Sequence, residues 1–364
     1  IDNNPESNFF GRIYVANRIE SKDDEMYVLD YDYSYLVKKK PIGTFSAARP
    51  AVDAEGFVYW ADYGDTGSGI MIMDPSTFVT NQFFQGEKNN EGVWINNSVA
   101  VGSSTPGVYV YGTGSDTKLY MVNEDKLGAH APYSYCVYNI GQGDGSILRT
   151  WGAAPSKTVA VTDNDGQNFS IVATTHGVFL CQNRELNMNK QGAYSLQFYD
   201  NNGVRRYVSD GKALIINGSY GGGMAISRDE SQLAMANGVG GILLFDIVWN
   251  GDTPGLTLNR TYETDFSAIS TIHFDYAGNL VVTTGTGYGY NHVNDLRLVV
   301  YSQPTDNNTI IVPAPSSQRI PALILDEKQD NSDLLVAAED KQMSTVRILR
   351  SLTSGMYNTL CLPF

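Results

Sequence analysis

The chain has 364 residues, 42% of them hydrophobic and 18% charged, with a formal net charge of −14 at pH 7. That length holds one closed body or two average domains, and the acidic balance removes the counterion-release energy that drives nucleic-acid binding. Nucleic acid and anionic membrane surfaces are therefore excluded as partners, and no apolar run is long enough for a membrane-spanning helix.

Taken in order, the chain repeats one rule: a short apolar run, a polar turn carrying Asp or Gly, then a stronger apolar run. The rule appears at 50–62, 98–113, 158–174, 224–237 and 272–284. Period-2 alternation on both arms with turn residues between them predicts a β-hairpin each time. The 36 glycines suit such a chain, because tight hairpins need backbone angles that glycine takes cheaply. A further apolar run follows most hairpins, as at Gly69, Lys118, Gly241 and Leu296. A three- or four-stranded unit repeated at this period predicts a β-propeller.

The first repeat has no opening strand; 11–18 reads as a second strand, 25–32 as a third and 36–43 as a fourth. Lys38, Lys39 and Lys40 in that last run read as an edge device against strand pairing. Repeat two spans 49–86 and repeat three 94–141. Repeat four carries an extra pair of apolar runs and is either one expanded blade or two compressed ones. Repeats five and six span 213–263 and 268–315. The fold class is thus all-β, a propeller of four-stranded blades over 1–316, six favoured over seven. Residues 317–364 form a short C-terminal β extension, read as a ring-closing strand, the start of a small β-sandwich, or both. In such a ring the first strand of each blade lines the axis, which predicts Val52, Val99, Val159, Ala225 and Ile272 there, with Asp53 and His273 as the titratable neighbours.

From Gly218 the chain reads SYGGGMAISRDE, then FDIVW at 245–249, FDYAGNL at 274–280, and PTDNN with PAPSS at 304–317. These stretches resemble a group of secreted β-propellers from Gram-negative gut anaerobes, and Arg350–Phe364 resembles the opening of the β-sandwich that follows them. The resemblance is close over 210–317, recognisable at 345–364 and generic elsewhere. It implies export, with extracellular, outer-membrane-surface or periplasmic placement after removal of a targeting peptide, and it implies no catalytic residues.

Chemistry-bearing residues are sparse. Cys136, Cys181 and Cys361 lie far apart in apolar runs and read as core, giving neither a disulfide framework nor a zinc site. His130, His176, His273 and His292 have no ligand spacing, and no G-x-S-x-G elbow occurs. Asp163, Asn164 and Asp165 before Gly166 resemble the start of a calcium loop, but the acidic residue that completes it is missing. Calcium is the one cofactor to consider, and otherwise none is expected. Tyr33, Trp60, Tyr63, Tyr288, Tyr290 and His292 fall at strand ends or loops, flanked by Asp and Asn, the pattern that stacks on sugar rings and bonds hydroxyls. The expected function is an exported, monomeric, non-catalytic binding or scaffold propeller whose partner is a glycan or a surface protein. The alternative is a channel-centred propeller enzyme, lactonase-like or lyase-like.

Overall fold

A computed structural model describes residues 1–17, 25–41, 47–62, 69–85, 87–88, 94–95, 107–123, 134–149, 155–161, 167–183, 192–209, 215–216, 223–236, 241–263, 268–286, 294–301, 322–326 and 345–349. Among these residues the regular structure is β, apart from one 3-10 turn at Gly114–Asp116.

Six antiparallel sheets follow one another along the chain. The first holds β1 (Ile13–Asn17), β2 (Glu25–Leu29) and β3 (Tyr35–Pro41). The second holds β4 (Ala47–Val52), β5 (Val58–Asp62), β6 (Gly69–Met73) and β7 (Thr80–Gln85), after which β8 (Glu87–Lys88) and β9 (Trp94–Ile95) pair separately. The third holds β10 (Val108–Tyr111), β11 (Lys118–Asn123), β12 (Ser134–Asn139) and β13 (Lys157–Ala160). The fourth is the expanded one: β14 (Gln167–Ala173), β15 (Gly177–Asn183), β16 (Gly192–Asp200) and β17 (Arg205–Val208), with β18 (Ile215–Ile216) added on β16. The fifth holds β19 (Met224–Ile226), β20 (Gln232–Ala236), β21 (Gly241–Asn250) and β22 (Thr253–Glu263). The sixth holds β23 (Ala268–Phe274), β24 (Leu280–Thr286) and β25 (Asn294–Tyr301).

Six apolar clusters, one at each junction between neighbouring sheets, turn this series into a six-bladed ring. Blades 1 and 2 meet through Met26, Val28, Trp60 and Met73, and blades 2 and 3 through Tyr59, Ile70, Leu119 and Met121. Blades 3 and 4 share Val122, Tyr135, Ile171 and Leu180, and blades 4 and 5 share Phe179, Phe198, Leu233 and Met235. Blades 5 and 6 share Ala234, Leu244, Ile272 and Leu280. The ring closes where Leu298 of blade 6 packs against Ile13, Val15 and Leu29 of blade 1. A sheet clamped on both faces buries consecutive residues, which is why Val58, Tyr59 and Trp60 are all at 0% exposure. The outer strand β17 instead alternates between half-buried and exposed, as an edge does.

Blade 1 matches its reading from the sequence. The turn between β2 and β3 carries Asp30, as the turn after β6 carries Asp74 and the turn after β16 carries Asp200, so β1, β2 and β3 are the second, third and fourth strands of their blade. Asp2 donates its N–H to the Arg12 carbonyl and accepts from the Gly11 N–H, at 2.9 and 2.8 Å. Ile1 and Asp2 thereby stand where other blades end their inner strand.

Two hairpins are corrected. The innermost strand of blade 3 is Val108–Tyr111, which was read as the second arm of its hairpin, and Val99 lies outside the described residues. Lys157–Ala160 is the outermost strand of blade 3, so Val159 is far from the axis and β14 opens blade 4. Local alternation marked these runs as strands, but an inner and an outer strand look alike until the pairing order is known. In the tail, β26 (Ala322–Asp326) and β27 (Thr345–Leu349) pair in parallel, and β26 lies beside β3. Among the described residues, no helix is long and apolar enough to cross a membrane.

Candidate functional site

The inner strands converge on a cavity of about 520 Å³. Its wall is made by the ends of β4, β10, β14, β19 and β23 and by the segment carrying Asn3 and Asn4. Val52, Ala225, Ile272, Asp53 and His273 are in this wall as expected.

The mouth is built from turns that join first to second strands, and those of blades 2 and 6 share one design. In blade 2 the Asp53 N–H bonds the Phe57 carbonyl, the Gly56 N–H bonds the Asp53 carbonyl, and Asp53 Oδ1 accepts from the N–H groups of Glu55 and Phe57. Blade 6 repeats it with Asp275, Gly278 and Asn279. The residue three after the first has a positive φ, +91° at Gly56 and +86° at Gly278, which glycine adopts without strain.

Asp53 is consumed by this architecture. Its Oδ2 accepts from the Tyr59 hydroxyl at 3.0 Å and from Arg149 Nη2 at 3.2 Å. Burial pushes its carboxyl above the usual range, against the opposing pull of Arg149. Asp275 is likewise held by Asn279 and by the Tyr33 hydroxyl.

Blade 5 breaks the rule. Its turn runs Ser227, Arg228, Asp229, Glu230, with the Glu230 N–H on the Ser227 carbonyl at 2.9 Å, so a glutamate occupies the glycine position at φ +57°. A side chain there costs about 1–2 kcal/mol, and strain of this kind gathers at functional sites. The carboxylate is fixed from two other blades. Oε1 accepts from the Tyr111 hydroxyl at 2.6 Å and from the Thr175 N–H at 2.9 Å, and Oε2 accepts from Thr175 Oγ1 at 2.6 Å. A carboxylate oxygen has two acceptor positions, so among the described residues Oε2 retains one. Burial and the Glu230 hydrogen bond both push the Tyr111 hydroxyl far up, which keeps it a donor.

The surroundings lock this arrangement. Trp249 Nε1 donates to the Glu230 carbonyl at 3.0 Å, and the indole stacks on His176 at 4.2 Å between ring centres. His176 Nδ1 lies 3.4 Å from Asp252 Oδ1. Arg228, two residues before Glu230, also lines the cavity, its guanidinium 4.4 Å from the centre of the Tyr276 ring. His273 on β23 is held neutral, burial lowering its pKa to about 3.

Of the expected ligand-binding residues, Trp60 is corrected: at 0% exposure within the core between blades 1 and 2, it offers no face to a ligand. Tyr33 sits in the third-to-fourth-strand turn of blade 1, its hydroxyl 3.3 Å from Asp275 Oδ2 of blade 6. Tyr63, Tyr288, Tyr290, His292 and the calcium candidates Asp163, Asn164 and Asp165 lie outside the described residues. Among the described residues, no three His, Cys, Asp or Glu side chains are grouped to hold a metal ion. Cys136 and Cys181 are buried. Glu230 and Arg228 were missed by sequence reasoning. Their signal was a turn written Ser-Arg-Asp-Glu where its neighbours end in glycine.

No family model matches the chain, and no curated protein matches it. Among solved structures it is similar to a gluconolactonase of Xanthomonas campestris, at 13% identity and TM-score 0.44, over 72% of this chain and 76% of that one. It is similar to a candidate 6-phosphogluconolactonase of Bacteroides fragilis, at 12% identity and TM-score 0.47, over 82% of this chain and 78% of that one. A Lactobacillus plantarum protein matches at 15% identity and TM-score 0.47, over 79% of this chain and 81% of that one. The expectation of a non-catalytic binding or scaffold propeller is corrected here, since two of these three are described as lactonases. At such identities the likeness concerns the fold, and the case for chemistry rests on the residues of this chain.

Proposed function

We propose that the protein is a channel-centred propeller enzyme that hydrolyses a small, oxygen-rich ring ester, with Glu230 as general base. The observation that carries this is a carboxylate on strained backbone in a cavity wall, anchored by two other blades yet keeping one acceptor position. A water bonded to Oε2 is polarised toward the ester carbonyl. As its oxygen adds to the carbonyl carbon, its proton passes to Glu230; the ring C–O bond then breaks, and the departing oxygen takes the proton back. The product is a hydroxy acid. Tyr111 and Thr175 hold the carboxylate in place through the cycle, so little reorganisation accompanies proton transfer.

Secretion belongs to the same proposal. It is supported by the resemblance of 210–317 to exported propellers, and cell fractionation of the native host tests it. The activity is tested by following proton release from a panel of aldonolactones. The wild-type chain is expected to exceed the spontaneous rate, and Glu230→Gln to lower kcat about 100-fold or more. A wild-type rate equal to the spontaneous one, or a Glu230→Gln variant as fast as wild type, removes the proposal.

A further inference from the structure

We infer that the cavity holds a small hydroxylated monocarboxylate, its carboxylate on Arg228 and a hydroxyl on Glu230 Oε2. The inference rests on the site of the proposed enzyme and names the class of ligand bound there, independently of turnover.

Arg228 carries the argument. Its guanidinium lies over the face of Tyr276, which meets the edge of Phe10 on another side at 4.8 Å between centres. Stacking fixes the guanidinium plane, so less rotamer freedom is lost when it binds. It makes no ion pair among the described residues, whereas Arg149 is paired with Asp53 and Glu55, and Arg206 with Asp200. A planar, pre-positioned cation without a carboxylate of its own is suited to two parallel bonds with a ligand carboxylate.

Glu230 sets the other half of the specificity. Its negative charge two residues away disfavours a doubly charged group such as a phosphate monoester, because like charges at short range repel. The spare acceptor position on Oε2 calls for a donor, which a hydroxyl supplies. One negative charge beside hydroxyl groups satisfies both residues. This is also the chemical class that hydrolysis of a hydroxy-acid ring ester releases.

Calorimetric titration of the full chain with gluconate, sorbitol and glucose 6-phosphate tests the inference. Gluconate is expected to bind at least tenfold more tightly than either of the others. Arg228→Gln should remove that preference, with Arg228→Lys restoring part of it. Equal affinity for gluconate and sorbitol, tighter binding of the phosphate ester, or an Arg228→Gln variant that still prefers gluconate overturns it. Gluconate binding through Arg228 without any lactone hydrolysis would upset the enzyme reading and leave this one standing. Hydrolysis without gluconate binding would do the reverse.

Discussion

The side-chain amide of Asn3 donates to the carbonyl oxygen of Phe274 at 2.7 Å, joining two residues 271 positions apart. The next residue, Asn4, donates its own amide to the Ala54 carbonyl of blade 2. One short segment thus ties the hairpin of blade 6 to that of blade 2 across the mouth of the channel, where the ring must close.

Replacing both asparagines by alanine should therefore weaken the ring. Two part-buried hydrogen bonds contribute about 1–3 kcal/mol together. The expected outcome is a lower urea midpoint with an unchanged slope, and a midpoint equal to wild type would show that closure does not depend on this segment.

Glu230→Gly separates strain from anchoring. Glycine recovers the roughly 1–2 kcal/mol that the positive φ costs a glutamate. It also loses three hydrogen bonds to a carboxylate that link blades 3, 4 and 5, each contributing about 1.5–3 kcal/mol. A net loss of about 2.5–8 kcal/mol follows from that balance. A more stable variant would mean that the carboxylate contributes no anchoring and is retained for its chemistry alone.

Asp2 makes stability depend on pH in an unusual direction. Burial raises its pKa from 3.8 to about 6, so between those values the folded chain holds a proton that the unfolded chain has released. Its contribution is complete below about pH 4 and is lost as pH rises through 6, by up to about 3 kcal/mol. Asp2→Asn should match wild type near pH 4 and exceed it at pH 7. His273 acts the other way: its folded pKa of about 3 lies below 6.5, so its contribution is present above pH 6.5 and is lost as pH falls. Denaturation midpoints of Asp2→Asn and His273→Asn from pH 4 to 7 check both signs.

Of residues 317–364, the described strand β26 lies beside β3 at the outer edge of blade 1. Deleting them should lower the melting temperature by roughly 5 °C and promote association through an uncovered strand edge. Unchanged melting and a monomeric deletion product would make the tail an appendage.

The all-β class, a repeat count of six favoured over seven and the shifted start of blade 1 were legible in the sequence. Period-2 alternation and turn chemistry are local properties, and Asp53–Gly56 and Asp275–Gly278 announce their turns within four residues. It also placed Asp53 and His273 beside the axis. Tertiary structure decided the rest. Val159 and Val108 both sit in short alternating runs, and only strand pairing shows that one is at the rim of blade 3 and the other at its centre. Trp60 looked like a ligand platform because of its polar neighbours, until a second blade was packed over its face. Glu230 has its meaning from Tyr111 and Thr175, which lie 119 and 55 residues away and reach it only once three blades stand side by side. A strand is encoded by its own residues, whereas a site in a ring of blades is encoded by residues that the closed ring alone brings within hydrogen-bond distance.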